Sequence, residues 1–129
     1  MLNVVVDTNV VVSALLSPRG NPAKIIDLIA NNSLRICYSP EIFAEYIDVL
    51  SRPRFTFSED NRDDFLHGVK LFGLFVSPSA SDIPLIDEDD RCFYDVAKYC
   101  EAFLITGNTR HYPPDPFTVT PTEFIALIQ

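Results

Sequence analysis

The chain has 129 residues, the size of one domain, and its 47% hydrophobic and 22% charged residues exclude a disordered chain. Eighteen acidic against ten basic side chains leave a formal charge of −8 and a pI near 4.5, which excludes a protein that coats nucleic acid through bulk positive charge. The same balance admits a metal site, because such a site gathers carboxylates and its cations invert the local sign.

The predicted elements begin with a β-branched run, Asn3–Val6, that reads as a strand buried on both faces and ends at Asp7. Helical spacing follows over Pro22–Ala30, a short strand over Leu34–Tyr38, and a helix over Pro40–Leu50 with Ser39 as its N-cap. On that helix Ile42, Phe43, Tyr46, Ile47 and Leu50 share one face. Glu59–Phe72 reads as a helix, Leu74–Val76 as a strand, Asp90–Cys100 as a helix, Ala102–Thr106 and Phe117–Val119 as strands. The capping box Thr120-Pro121-Thr122-Glu123 opens a last helix. Alternating buried strands and helices predict an α/β fold, a sandwich around a mostly parallel sheet of about five strands, as one domain over 1–129.

No apolar run approaches the ~20 residues that span a bilayer, and MLNVVVDTN lacks the features of a signal peptide. The expectation is a cytoplasmic protein with no membrane partner. Cys37, Cys92 and Cys100 are odd in number and lack close pairs, so they read as buried, reduced thiols. Any metal here is held by oxygen.

In an open parallel sheet, ligands bind beyond the carboxyl ends of the strands, where strand order reverses. Asp7 stands at such an end, a rim position that also suits capping of the helix that follows, through Thr8 and Asn9. Glu45 belongs to a polar stripe with Glu41 and Asp48 but lies closer to the apolar boundary than Glu41, within reach of a cleft. Asp87-Glu88-Asp89-Asp90 precede a helix and exceed what capping needs, so their mutual repulsion calls for Arg91 or a cation nearby. Thr106-Gly107-Asn108 reads either as a plain turn or as a polar group beside Asp7, the latter if the first and fourth strands are neighbours. Three carboxylates and an amide converging there suit Mg²⁺ or Mn²⁺.

The segments VVVDTNVVVSALLSPRGNP, YSPEIFAEYIDVLSRPRF and IDEDDRCFYDVAKYCEAFLITGNTRHYP resemble, in order, the motifs of a PIN domain. The likeness runs from about residue 2 to about residue 125 and is greatest to small bacterial VapC-like toxins of toxin–antitoxin pairs. It implies an α/β/α fold and Mg²⁺- or Mn²⁺-dependent hydrolysis of RNA phosphodiesters. By motif, Asp7 matches the first acid, Glu45 the acid of the P-E-x-x-x-E helix, and Asp90 the acid seven residues before the helix alanine, Ala97. Asp89 is one register step away. The fourth position often holds Asp after T-G, whereas this chain has Asn108, which removes a charge and bears on whether a second metal is held; Asp95 occupies a nearby position that is acidic in many relatives.

Thr8, Asn9 and Thr106 are then the polar groups that orient carboxylates or waters. His111 reads as a ring packed on Tyr112 and Pro113 rather than as a base. The implied partners are an RNA substrate, an antitoxin protein and a second copy of the chain. A catalytically weak PIN-fold module that binds RNA or protein is the alternative. A dehalogenase-like phosphatase, which needs a second aspartate two residues after the first, meets Asn9 there instead.

Overall fold

The Leu2–Val6 segment (β1) forms the centre of the sheet in the computed structural model, which describes residues 1–129. Val4, Val5 and Val6 are all wholly buried. Successive strand side chains point to opposite faces, so both faces of β1 are covered by helices and the architecture has three layers. The other strands are Leu34–Tyr38 (β2), Leu74–Phe75 (β3), Phe103–Ile105 (β4) and Thr118–Val119 (β5). The helices are Thr8–Leu16 (α1), Asn21–Ala30 (α2), Pro40–Leu50 (α3), Glu59–Phe72 (α4), Arg91–Cys100 (α5) and Pro121–Ile128 (α6).

The strand order is β3-β2-β1-β4-β5, and every pairing is parallel. The chain builds outward from β1 through β2 to β3, then returns to lay β4 on the other side of β1. The reversal therefore falls between β1 and β4. Helix α5 rests on β1, β2 and β4, while α2 packs on β2 and carries α1 and α6. One apolar core runs through these layers, with Ile25, Ile36, Tyr46, Phe93, Leu104 and Phe124 among its fully buried members.

Local chemistry sets the helix starts. Ser39 Oγ accepts from Ile42 N at 3.2 Å, with Pro40 at the first helical position of α3. Thr120 and Glu123 exchange the two bonds of a capping box at the start of α6.

Three expectations need correction. The edge strands β3 and β5 are only two residues long, as suits edges that expose unpaired backbone groups. Ile47 is 45% exposed, because Ile42, Tyr46 and Leu50 alone make the buried stripe of α3. All three cysteines are free, but only Cys37 is fully buried.

Candidate active site

The register of the central strands assembles the first part of the site. Val6 pairs with Ile105 across β1 and β4, so the next residues, Asp7 and Thr106, leave the sheet side by side. Asp7 N donates to Ile105 O at 2.9 Å. Although Asp7 occupies the N-cap position of α1, its carboxylate makes no capping bond to the helix. It turns to the opposite side, where Oδ2 accepts from Thr106 Oγ1 at 2.8 Å and from the Tyr112 hydroxyl at 3.0 Å. The side chain is nearly inaccessible, at 6% exposure. Burial raises its pKa above the ordinary value, against the lowering effect of the Thr106 and Tyr112 bonds.

Glu45 approaches from α3. Its Oε2 accepts from Thr8 Oγ1 at 2.5 Å, which ties α3 to the first turn of α1. Burial raises its pKa, the Thr8 bond lowers it, and the charges of Asp7, Asp90 and Asp89 push it up again. Its stripe neighbours differ: Glu41 is exposed, and Asp48 is paired with Arg52 at 3.1 Å on the surface.

The four consecutive acids divide their tasks. Asp87 Oδ1 accepts from Asp89 N at 3.0 Å, closing a 3-10 turn over Glu88–Asp90. Glu88 takes both nitrogens of the Arg91 fork, at 2.6 and 2.7 Å. Asp89 stays exposed. Asp90 alone turns inward, with 15% of its side chain exposed, and His111 Nδ1 stands 3.3 Å from its Oδ2. That contact lacks the alignment of a hydrogen bond, so Asp90 Oδ2 is buried without a hydrogen-bond partner. Burial, then the charges of Asp7 and Asp87, raise the Asp90 pKa to about 6, with His111 acting in the opposite sense.

The remaining polar residues build the frame. Asn9 Oδ1 accepts from Gly107 N at 3.1 Å, and Thr106 Oγ1 accepts from Asn108 N at 3.0 Å while donating to Asp7. Asn108 itself is exposed. Asp95 does not stand in for a fourth carboxylate. Both its oxygens are taken by Ser81, at 2.6 and 2.9 Å, where they fasten the 76–87 loop to α5. His111 faces Asp90 rather than only packing on its neighbours, and Tyr112 reaches Asp7; the sequence reading missed both. The signal available for them was their place one turn after the fourth strand, on the 3-10 turn Thr109–His111. Beside the acids lies a cleft of about 560 Å³ with Glu41, Glu45, Glu88, Asp89 and Asp95 on its walls and Arg91 as the one base. Glu45 faces both regions, whereas Asp7 and Asp90 are not part of the cleft wall.

No three carboxylate, imidazole or thiol groups stand together as a ready-made cage for an ion. Mg²⁺ does not need one, since it keeps several waters and binds through one or two carboxylates. The donor set fits such a cation in three respects. All the groups are hard oxygens; Asp90 Oδ2 is an orphaned buried acceptor; and the raised pKa values record burial at Asp7, and burial together with like charge at Glu45 and Asp90, which a cation relieves.

The acids gather beyond the ends of parallel strands, at the reversal of strand order, the place where α/β proteins bind ligands. The family follows from comparison: a family model described as the PIN domain matches residues 3–110, and the chain belongs to that family. It is 34% identical over 110 residues to the uncharacterized protein MJ1680 of Methanocaldococcus jannaschii, covering 83% of this chain and 71% of that protein. Its fold is similar to the crystal structure of VapBC2 from Rickettsia felis bound to a DNA fragment from their promoter. That match covers 92% of this chain and 97% of the other at a TM-score of 0.57 and 17% identity, a likeness of fold alone.

Proposed function

We propose that this PIN protein is a single-domain, cytoplasmic endoribonuclease that uses Mg²⁺ or Mn²⁺ to hydrolyse RNA phosphodiester bonds. The observation that carries the reading is Asp90 Oδ2, a buried carboxylate oxygen without a hydrogen-bond partner, in the electrostatic company of Asp7 and Glu45. The polar neighbour of that oxygen, His111 Nδ1, stands 3.3 Å away outside hydrogen-bond alignment, and a cation would satisfy the acceptor.

A divalent cation bound there supplies polarisation of a phosphate oxygen and a lowered pKa for its bound water. Asp7, Glu45 and Asp90 are the residues from which its one or two carboxylate ligands would come. Thr106 and Tyr112 both donate to Asp7 Oδ2, which leaves Oδ1 free of side-chain donors. Thr8 donates to Glu45 Oε2, which leaves Oε1 free in the same way. The side-chain donors of each carboxylate thus gather on one of its two oxygens. Asn108 offers an amide at a position where the family's motif often, though not always, has a carboxylate, so the site has one negative charge fewer to hold a second ion.

The partner proposed is an antitoxin protein that covers the acidic site, with this chain as the toxin of the pair. The fold shared with VapBC2 supports that reading, and a homodimer is compatible with it. The second reading, a PIN-fold module that binds RNA or protein with little cleavage, draws on exposed Asn108 and on the lack of a three-ligand cage.

The test is cleavage of a structured RNA by the wild type in EDTA and in Mn²⁺, beside Asp7→Asn. Loss of a group that merely supports a ligand costs 10–100-fold, so loss of the ligand itself should cost at least about 100-fold. Metal-dependent cutting that survives in Asp7→Asn contradicts the site. A folded wild type that cuts under neither condition favours the binding module.

A further inference from the structure

The Asp7 carboxylate receives two side-chain donors on one oxygen, and only one of them directly follows the strand that pairs with β1. Thr106 stands next to Asp7 because β4 pairs with β1. Tyr112 reaches the same Oδ2 from beyond the Thr109–His111 turn, at 3.0 Å. Its ring is held on two counts. Tyr112 N donates to Thr109 O at 3.2 Å, and the ring stacks on Tyr94 of α5, with centroids 6.5 Å apart and planes at 18°. Tyr94 is fixed in turn, since its hydroxyl donates to Asp115 Oδ2 at 2.6 Å. Tyr112 is 5% exposed, and its hydroxyl donates to Asp7 Oδ2.

We infer that Tyr112 is a positioning residue for Asp7: its hydroxyl, together with Thr106, occupies Oδ2 and fixes the carboxylate plane so that Oδ1 is the oxygen presented to a cation. The inference rests on the metal-dependent reading above. A bond from one donor lets a carboxylate rotate about its Cβ–Cγ axis, whereas two donors converging on one oxygen from different elements define its plane. The same turn sets His111 beside Asp90. Residues 109–112 therefore connect the two acids that come from opposite halves of the chain.

The test compares Mn²⁺ affinity, measured by titration calorimetry, for wild type, Tyr112→Phe and Asp7→Asn. The Phe variant keeps the ring and its stacking on Tyr94 and removes only the hydroxyl. The expected result is an affinity about tenfold weaker, in line with the loss of a group that supports a ligand, with RNA cleavage restored by excess Mn²⁺. A purely structural tyrosine gives no such rescue. Wild-type affinity in Tyr112→Phe overturns the Tyr112 role and leaves the metal reading standing. No binding by the folded wild type overturns both. A Tyr112→Phe chain that fails to fold also counts against the inference, because the role assigned is to aim one carboxylate and not to hold the fold.

Discussion

Asp90 is where burial and like charge meet most measurably. Its pKa lies at about 6 in the folded chain, against an ordinary 3.8. Between those values the folded state keeps a proton that the unfolded chain has released, so stability falls as pH rises through that window. Asp90→Asn removes the effect. In EDTA, its melting temperature should match the wild type near pH 3.8 and exceed it by a few degrees above about 6. A difference that stays constant across pH contradicts the burial argument. At this scale the sequence was informative where strand order did the work: Asp7 and Thr106 meet because consecutive residues leave paired strands together. It was silent on Tyr112, and misleading on His111, because both side chains are aimed by a 3-10 turn inside a proline-bounded loop, where no hydrophobic period fixes direction. Asp95 misled for a different reason. Its acidity suggested metal, but its two oxygens answer Ser81 across a loop of irregular backbone.

Elements with strong periodicity and caps were readable to the residue: α3 over Pro40–Leu50 and α4 over Glu59–Phe72 have the bounds their spacing predicts. The strands were readable as buried runs, but their ends were not, since pairing with a neighbour decides where a strand stops. Two glycines of the α4 region separate packing from propensity. Gly73 joins α4 to β3 at φ −74, a conformation open to any residue. A Cβ there would lie 2.5 Å from Val69 O and 3.0 Å from the Tyr38 ring. Gly73→Ala should therefore cost roughly 1–3 kcal/mol through overpacking. Gly68, within α4, has nothing within 4 Å of an added Cβ, so Gly68→Ala should stabilise by about 0.5–1 kcal/mol from helix propensity. Urea unfolding of the two variants checks the pair, and equal effects of the same sign would refute the distinction.

The whole molecule carries −8 and concentrates part of that charge at the switch point of its sheet, where the charge of Asp7 raises the pKa values of Glu45 and Asp90 and that of Asp90 raises Glu45 further. Such an arrangement is unfavourable for the empty fold and favourable for a fold that binds a cation. Membership of the PIN family was legible from three motifs in order. What the motifs did not convey is that the site holds no three-ligand cage and that the side-chain donors to Asp7 and to Glu45 each gather on one carboxylate oxygen. The most direct measurement of the central claim is the melting temperature of the wild type in EDTA and in millimolar Mn²⁺. Binding at 100 times the dissociation constant stabilises the fold by about 2.7 kcal/mol. The melting temperature should rise several degrees in Mn²⁺, a rise that Asp7→Asn abolishes, whereas a value unchanged by Mn²⁺ would contradict cation binding at these acids.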